Sequence, residues 1–305
     1  MRRRVKLIFN PHAHRGRAWE EARALQAIVG RFGESEWATT EHPIHAAQLA
    51  VEATGRGFDV VAAIGSDGTA SGVINGLMSL PPERRPLLAS VWEGSGNDFA
   101  SNLGIAKEPA AAMQRVFTGS PRAIDVGQAV DQAGRARYCA NVLGIGVDAQ
   151  VTLYSSQAKI LQRFAMCLWC TIQAILRTHE APILTLRTDG GEPIRQSALM
   201  FTICNGPRES GGFFVPPDAR PDDGILYNAS IELTSRLMMS RLIPEVMNGT
   251  HGRFRQVHMG QFKELDLASD RPLTIQVDGE VLAGFHSDVT GLRVRVLPAA
   301  LQVIV

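Results

Sequence analysis

The sequence lacks several features that would assign it to a familiar class of protein. No Lys-Ser or Lys-Thr pair follows the glycines around Gly72, which excludes a Walker A nucleotide loop. No apolar run reaches the ~18 residues that a membrane-spanning helix needs, and the Arg-rich start has no apolar signal segment. The 4 cysteines form no disulfide or zinc framework, because the Cys167–Cys170 pair has no second pair. We therefore expect a reduced, cytoplasmic protein.

Charge gives no argument for a nucleic-acid partner. The formal net charge is +1, and the cluster Arg2-Arg3-Arg4 is typical of a solvated terminus. No internal repeat or low-complexity tract is visible. With 305 residues, the chain exceeds the usual size of a single domain, so two domains are expected.

The first part of the chain alternates apolar strand patterns with helical patterns. Strands are predicted at residues 5–9, 36–40, 59–64 and 87–91, with helices at 19–29, 44–54, 69–78 and 109–117. Short connections between alternating strands and helices predict a doubly wound α/β domain, residues 1–122. A last strand, at about residues 298–305, could return to it.

After Gly119-Ser120-Pro121 the pattern changes to β-like segments joined by Gly, Pro and Asp turns. One helical insertion at residues 150–178 and a helix at 235–247 interrupt them, and residues 254–267 form one long β-like stretch. Residues 123–297 are therefore predicted to form a β-sandwich domain.

Three strand ends in the first domain lead into polar loops that contain glycine. The clearest is Gly65-Ser66-Asp67-Gly68-Thr69, which follows a buried strand and opens a helix. Free N–H groups and the positive end of a helix dipole favour phosphate at such a turn. Because Asp67 would repel a bare phosphate, it suggests a metal, a ribose or a catalytic network. An ordinary turn around Asp67-Gly68 explains the same residues.

The other two loops favour a ligand site. Residues 93–99 follow the fourth strand with Ser, Asn and Asp at a helix start, and residues 10–17 follow the first strand. The carboxyl ends of parallel strands meet at one edge of the sheet, where open α/β sheets bind ligands.

These motifs and later ones resemble the diacylglycerol kinase catalytic-domain family, which includes bacterial lipid kinases and the related sphingosine kinases. The resemblance runs from the first strand to the C-terminus. It depends on the order and spacing of the following segments: Asn10-Pro11, 65–69, 94–100, 124–127, 141–149, Asn205-Gly206, 211–212, 217–219, 222–224 and 277–280. It implies an α/β nucleotide-binding domain and a β-sandwich domain of the NAD kinase/diacylglycerol kinase type, with the site in the cleft between them.

The resemblance also implies an activity and the residues that perform it. The activity is transfer of the γ-phosphoryl group of ATP to a lipid hydroxyl, with Mg²⁺. Glu280 matches the proton acceptor, and Asp67 and Asp98 match the Mg²⁺ and phosphate network, with Asp125 nearby. The nucleotide-contacting positions are Asn10, Thr40, Gly65, Ser66, Asp67, Gly68, Thr69, Gly72, Gly94, Ser95, Asn97 and Asp98.

Two of these carboxylate motifs have a structural alternative. Arg220, Asp223 and Ile225 match a second, structural Mg²⁺ site of bacterial members, and a carboxylate such as Asp223 suits a hard cation. An Asp-Asp-Gly turn without metal explains the same segment. Likewise, Asp278-Gly279 is a strong hairpin signal, which is compatible with presentation of Glu280 by the turn.

Several positions depart from the family pattern. Ser66 replaces a glycine, Ser71-Gly72 replaces Asn-Glu, His14 stands where Gly is common, and Trp92-Glu93 follows the fourth strand in place of a proline. Added side chains can crowd a site where backbone approaches phosphate. A degenerate nucleotide site or a changed nucleotide preference therefore stays open.

Two further segments have more than one interpretation. Residues 159–177 carry apolar side chains at helical spacing between Lys and Arg, which fits either an amphipathic element at a membrane surface or a helix packed on the β domain. Residues 144–149 fit a relaxed Gly-x-Gly-x-x-Ala dinucleotide motif but are followed by no clear βαβ unit.

The sequence thus predicts a lipid kinase that uses ATP and Mg²⁺ and phosphorylates diacylglycerol or a similar lipid alcohol. It would act as a peripheral protein at the inner face of a membrane, without a nucleic-acid partner; a homodimer is left open. The alternatives are a kinase of a soluble substrate, related to NAD kinases, and a catalytically degenerate protein that binds nucleotide or lipid.

Overall fold

The structure is a computed structural model that describes residues 3–11, 18–30, 32–42, 44–92, 97–157, 163–177 and 180–305. It divides into two compact units. The first contains the chain up to Asp125 together with Ala299–Val305, and the second contains Val126–Pro298. Among the described residues, no helix has both the length and the apolar character needed to cross a bilayer.

The first unit is a parallel α/β layer structure, as predicted. Its strands are β1 (Val5–Phe9), β2 (Ser35–Thr39), β3 (Val60–Gly65) and β4 (Leu87–Trp92). Its helices are α1 (Ala18–Val29), α2 (His45–Gly55), α3 (Asp67–Met78), α4 (Asp98–Asn102) and α5 (Pro109–Thr118), with a 3-10 turn at Pro82–Arg84.

The strand order β2-β1-β3-β4 determines where the helices lie. The connection from β1 to β2 runs towards one edge of the sheet, and the connections from β2 to β3 and from β3 to β4 run towards the other edge. Right-handed crossovers then place α1 on the opposite face from α2 and α3. The packing agrees, since α1 contacts α5 and α2 contacts α3. Strands covered on both faces are buried throughout, which explains the continuous apolar run of β3.

Two strands belong in part to each unit. Strand β5 (Pro121–Asp131) leaves the first unit after Asp125, and β18 (Gly291–Ile304) re-enters it at Ala299. In the first unit, Val303 of β18 lies parallel to Leu88 of β4.

The second unit is rich in antiparallel strands, and its described residues form three α-helices. The elements up to β12 are β6 (Ala136–Cys139), β7 (Val142–Gly146), α6 (Val147–Gln157), α7 (Arg163–Arg177), β8 (Ile183–Thr188), β9 (Ile194–Ser197), β10 (Met200–Cys204), β11 (Arg208–Glu209) and β12 (Phe213–Phe214). They are followed by β13 (Leu226–Ile231), α8 (Arg236–Met247), a 3-10 turn at His251–Arg253, β14 (Val257–Phe262), β15 (Glu264–Ser269), β16 (Ile275–Val277) and β17 (Glu280–Ala283).

Two sheets form the sandwich of this unit. One runs β14-β13-β10-β7-β16-β17, and the other joins β18, β15, β8 and β9. Side chains alternate along β10: Phe201 and Ile203 enter the core between the sheets, and Met200 and Cys204 face the opposite side. Helices α6, α7 and α8 cover that opposite side, so β10 is apolar on both faces.

Two segment predictions were wrong in detail. The predicted β-like stretch at 254–267 is divided between β14 and β15, which are separated at Lys263. Here the backbone N–H groups of Lys263 and Glu264 both bind the Asp189 carboxylate, so the chain turns instead of continuing. The predicted helical insertion at 150–178 begins earlier, at Val147, and its described residues form two helices, α6 and α7.

Candidate functional site

Three of the predicted nucleotide residues lie at the carboxyl edge of the sheet of the first unit. Asn10 follows β1, Thr40 follows β2, and Gly65 ends β3. The register aligns these ends, since Phe9 of β1 pairs with residues 39 and 64 of its neighbours. Strands β1 and β3 are the pair at which the connections change direction, which is the position where open α/β sheets bind ligands.

The turn after β3 has a backbone conformation that favours glycine. Gly65 has φ +148°, and a Cβ there would lie 2.8 Å from the Thr69 hydroxyl, so a side chain is strained at this position. Ser66 then takes extended backbone before α3 starts at Asp67. The first N–H groups of a helix have no partner within the helix and carry the positive end of its dipole. The turn therefore offers donors and positive potential at the sheet edge.

Side chains connect this turn to the loop after β4. Asp67 Oδ1 accepts a hydrogen bond from the backbone N–H of Phe99 at 3.1 Å. The Asn97 amide, oriented so that both of its groups are paired, donates to the Gly65 carbonyl at 2.7 Å and accepts from the indole N–H of Trp92. Asn97 and Asp98 are both buried. The structure thus brings together Asp67, Asn97 and Asp98.

Two departures from the family pattern have a structural explanation. The Trp92 indole holds Asn97, and the Lys107 ammonium lies 5.5 Å from the centre of its ring. Gly72 lies on the face of α3 that packs on α2, where a Cβ would be 2.8 Å from the Ala46 Cβ. This packing requires a small residue at position 72, whereas a nucleotide contact by Gly72 stays a prediction.

The remaining predicted positions of the first unit lie in different surroundings. Gly68 and Thr69 form the first turn of α3, with Thr69 buried. Asp125 is buried on β5, and its Oδ1 accepts from the backbone N–H of Ala299 at 2.8 Å, so it holds the returning strand. Gly94 and Ser95 lie outside the described residues, as does His14.

In the second unit, Asp278-Gly279 forms the predicted hairpin turn between β16 and β17. Both residues have positive φ, 50° and 82°, which is the geometry of a two-residue type I′ turn. The buried Asp278 carboxylate accepts from three successive backbone N–H groups, those of Ala140, Asn141 and Val142, at 2.9–3.0 Å. Asp278 therefore anchors the hairpin to the segment that precedes β7.

The hairpin presents Glu280 as the first residue of β17. Its carboxylate pairs with Arg137 at 2.5 Å, and 28% of its side chain is exposed. Burial raises the pKa of Glu280, the Arg137 guanidinium opposes that rise, and the nearby Asp278 adds to it. A carboxylate with a raised pKa that is still reachable from solvent suits a general base.

The predicted second metal position is an ordered turn. Asp223 accepts from the backbone N–H of Ile225 at 3.1 Å and from the Tyr227 hydroxyl at 2.5 Å, and Gly224 has φ +74°. Burial and Asp223 raise the pKa of Tyr227 to about 12. Arg220 and Asp223 are exposed. A turn without metal thus explains the local structure of this segment, and metal binding there stays a prediction.

No group of three or more His, Cys, Asp or Glu side chains that could hold a metal ion occurs among the described residues. A Mg²⁺ ion bound through one or two carboxylates, water and phosphate oxygens needs no such group. Asp67 and Asp98 are oxygen donors beside a phosphate-type turn, so the residues present fit that mode of binding.

The partners of the hairpin are not marked by any local sequence pattern. Arg137 is 143 positions from Glu280, and nothing in its local pattern marks it as an ion-pair partner. Asn205 is fully buried and donates to the Ala140 carbonyl at 3.1 Å, beside the segment that Asp278 holds. The Asn205-Gly206 motif contributes to the family resemblance, but the sequence does not indicate its contact with the Ala140 carbonyl.

Comparison with known proteins identifies the family. The family described as "Diacylglycerol kinase catalytic domain" matches residues 4–129, and "YegS C-terminal NAD kinase beta sandwich-like domain" matches residues 141–305. The chain belongs to the diacylglycerol kinase catalytic-domain family. It is therefore a lipid kinase by family, as the sequence motifs indicated.

Individual relatives agree with this assignment. The chain is 31% identical over 261 residues to "Probable lipid kinase YegS-like" of Stenotrophomonas maltophilia, covering 83% of this chain and 84% of the relative. It is 25% identical over 288 residues to "Diacylglycerol kinase" of Staphylococcus saprophyticus, covering 92% and 90%. Its fold matches a "putative diacylglycerol kinase" of Bacillus anthracis with a TM-score of 0.80 at 21% identity, covering 99% and 95%. The fold prediction is thereby confirmed.

Proposed function

We propose that this lipid kinase transfers the γ-phosphoryl group of ATP to the hydroxyl of diacylglycerol or a similar lipid alcohol, with Mg²⁺. The observation that carries the proposal is the linked pair of turns at the carboxyl edge of the first unit. Asp67 and Asn97 tie the turn after β3 to the loop after β4, so that backbone donors, the half-buried carboxylate of Asp67 and the buried carboxylate of Asp98 gather at one place.

Each group has a role in phosphoryl transfer. The N–H groups that open α3 bind phosphate oxygens, and Asn10 and Thr40 line the same edge of the sheet. Asp67 and Asp98 would hold Mg²⁺, which would neutralise charge on the phosphates when bound. During transfer, the lipid oxygen bonds to the γ-phosphorus while the bond from that phosphorus to the ADP oxygen breaks.

Glu280 is the proposed general base. The attacking hydroxyl loses its proton as it bonds to phosphorus, and Glu280 takes that proton on its carboxylate. The type I′ turn and the Asp278 anchor fix the position of β17, and the raised pKa of Glu280 favours proton acceptance.

We also propose that helix α7 contacts an anionic bilayer surface. Cys170, Ala174 and Ile175 pack into the second unit, whereas Trp169 is 52% and Ile172 is 37% exposed. The helix contains Arg163 and Arg177 but no acidic residue. Exposed aromatic and aliphatic side chains with basic residues favour a membrane interface. Vesicle sedimentation should therefore show binding that requires anionic lipid and weakens in Trp169→Ala.

The test of the catalytic assignment is Glu280→Gln. We expect turnover on lipid alcohols to fall by on the order of 10²–10⁴-fold, since that is what a general base contributes. ATP affinity should stay the same, because the nucleotide contacts are in the first unit. Glu264→Gln, an exposed carboxylate on β15 of the same unit, is the matched control and should keep full turnover. Full activity of Glu280→Gln would remove Glu280 from the mechanism.

The nucleotide site is tested separately with Asp67→Asn. The substitution keeps the size and turn preference of the residue and removes its charge, so turnover with Mg²⁺ should be lost while the fold is retained. ATP with Mg²⁺ should also raise the thermal midpoint of wild type more than NAD does, because ligands stabilise the state that they bind. A larger shift with NAD would favour a kinase of a soluble substrate. ATP binding without turnover on any lipid would favour a degenerate protein.

A further inference from the structure

The two carboxylate oxygens of the proposed base, Glu280, have different surroundings. Oε2 accepts a hydrogen bond from Arg137 Nη2 at 2.5 Å. No hydrogen bond from another described residue reaches Oε1, and the side chain is partly exposed. The ion pair therefore holds one oxygen of the carboxylate, and the other oxygen is available to accept a proton.

Arg137 has more hydrogen-bond donors than this ion pair uses. A guanidinium carries five N–H donors in a planar fork. Within the described part of the chain, the Arg137 side chain donates only to Glu280, and 36% of it is exposed. By contrast, Arg135 of the same unit donates to two carboxylates, those of Asp131 and Asp288. Arg137 thus combines a fixed position with donors that a ligand can reach.

The ion pair has a cost for a residue that acts only as a base. Burial raises the pKa of Glu280, and the Arg137 guanidinium opposes that rise. A neighbouring cation lowers the proton affinity of a carboxylate, so the pair weakens the base. A second role of Arg137 in the reaction would offset this loss.

The reaction brings phosphoryl oxygens close to the base. The lipid oxygen gives an electron pair to the γ-phosphorus and its proton to Glu280 Oε1. The bond from that phosphorus to the ADP oxygen breaks, and its electron pair stays on ADP. One oxygen is therefore within hydrogen-bond distance of the base and bonded to phosphorus. A bare carboxylate would repel the anionic group that approaches it, and the Arg137 guanidinium offsets this repulsion.

We propose that Arg137 is a catalytic residue of this kinase, which holds Glu280 by Oε2 and binds an oxygen of the transferring phosphoryl group with its remaining N–H groups. A guanidinium suits this role because it is always charged and its fork matches the geometry of phosphate oxygens. The proposal rests on the proposed function, since it adds a phosphoryl ligand to the reaction in which Glu280 takes the proton.

The first test is the steady-state kinetics of Arg137→Gln on lipid alcohols with ATP and Mg²⁺. We expect kcat to fall by on the order of 10³-fold, the lower end of what an arginine on a transferring phosphoryl group contributes. The KM for ATP should change little. The control Arg293→Gln removes an exposed ion pair with Asp266 in the same unit and should keep the wild-type kcat. A wild-type kcat in folded Arg137→Gln would refute the proposal.

The conservative variant covers a failure of Arg137→Gln to fold, as judged by circular dichroism. Arg137→Lys keeps the charge and the ion pair with Glu280 but lacks the planar fork. Its kcat should still fall by about tenfold or more, because an ammonium does not reproduce the bidentate contact of a guanidinium. A wild-type kcat in Arg137→Lys, together with a misfolded Arg137→Gln, would show that the pair only ties β6 to β17.

The second test requires no turnover. ADP with Mg²⁺ and aluminium fluoride mimics the transferring phosphoryl group, and a ligand stabilises the state that it binds. Aluminium fluoride should raise the thermal midpoint of wild type above its value with ADP and Mg²⁺ alone. This increment should be lost in Arg137→Gln and retained in Glu280→Gln and Arg293→Gln. Loss in both Arg137→Gln and Glu280→Gln would mean that Arg137 acts through Glu280, and the proposed phosphoryl contact would fail.

Together the two tests distinguish this proposal from the function on which it rests. If wild type phosphorylates lipid alcohols and Arg137→Gln does so with the same kcat, the function stands and the role of Arg137 fails. If wild type phosphorylates no lipid but the fluoride-dependent increment requires Arg137, the phosphoryl contact stands and the lipid kinase function fails.

Discussion

The sharpest structural test concerns Asp278, which lies next to the proposed base. Replacement by Asn keeps the size of the side chain and its tolerance of φ +50°, so the turn itself is little affected. Asp278 Oδ1 accepts from the N–H groups of Asn141 and Val142, and Oδ2 accepts from that of Ala140. In Asn one oxygen becomes an NH₂ group, which would face the Ala140 donor.

The expected destabilisation follows from these bonds. A buried N–H group left without an acceptor costs about 1–3 kcal/mol, and the two retained bonds lose charge assistance worth roughly 0.5–1 kcal/mol each. Relief of a buried charge offsets part of this sum. We expect Asp278→Asn to lower the free energy of unfolding by about 2–4 kcal/mol, measured by urea denaturation followed by circular dichroism.

Two comparisons make this prediction decisive. Asp288→Asn removes an exposed carboxylate that pairs with Arg135 and should change stability by less than about 0.5 kcal/mol. Glu280→Gln should leave unfolding nearly unchanged while it lowers turnover by on the order of 10²–10⁴-fold. If Asp278→Asn unfolded at the wild-type urea concentration, the three backbone bonds would not anchor the hairpin.

Two further predictions concern the first unit. Hydrogen bonds from Arg56 and Lys6 lower the pKa of Glu36 to about 2, so its contribution to stability is present above about pH 4.5 and is lost as the pH falls towards 2. Glu36→Gln should therefore destabilise the protein at pH 7, because it leaves the buried Lys6 ammonium without its partner. The difference in urea midpoint between this variant and wild type should shrink below pH 4. A difference that stays constant with pH would contradict the prediction. Gly76→Ala should lower the thermal midpoint, because its Cβ would lie 2.5 Å from a backbone oxygen of α2. The Cβ of the control variant Gly55→Ala would meet no atom within 4 Å, so that variant should be neutral or stabilise the protein by up to ~1 kcal/mol. Equal effects of the two variants would show that α2 and α3 can separate freely.

The strands and turns of the first unit could be predicted because the sequence signals for them are local. Buried parallel strands appear as apolar runs, and each run ends in a polar turn whose position follows from the run itself. The alignment of Asn10, Thr40 and Gly65 at one edge then follows from parallel pairing alone. The Asp278-Gly279 turn was predicted for the same reason, since its type depends on two adjacent residues.

Contacts between distant positions were beyond such reasoning. The bond of Asp67 to the Phe99 N–H, the pairing of Glu280 with Arg137 and the anchoring of residues 140–142 by Asp278 each join segments far apart in the chain. Hydrophobic periodicity and turn propensity contain no information about which strand becomes a neighbour in an antiparallel sheet. The sequence could therefore identify candidate carboxylates but could not distinguish the anchoring role of Asp278 from the proposed catalytic role of Glu280.

The glycine-containing ends of β3 and β7 show why a local sequence motif does not determine the chemistry of a turn. Gly65 and Gly144 both belong to strands that lead into a helix with an Asp in its first turn. After Gly65, the Asp67 carboxylate reaches the loop after β4, where it accepts a hydrogen bond from the Phe99 N–H. At Gly144 the carboxylate of Asp148 fills the space that a Cβ would occupy and accepts a hydrogen bond from Gln276 at 2.8 Å. The two carboxylates therefore have different surroundings, although the local sequences look alike. The direction of each carboxylate depends on the neighbouring strands, which the local sequence does not specify.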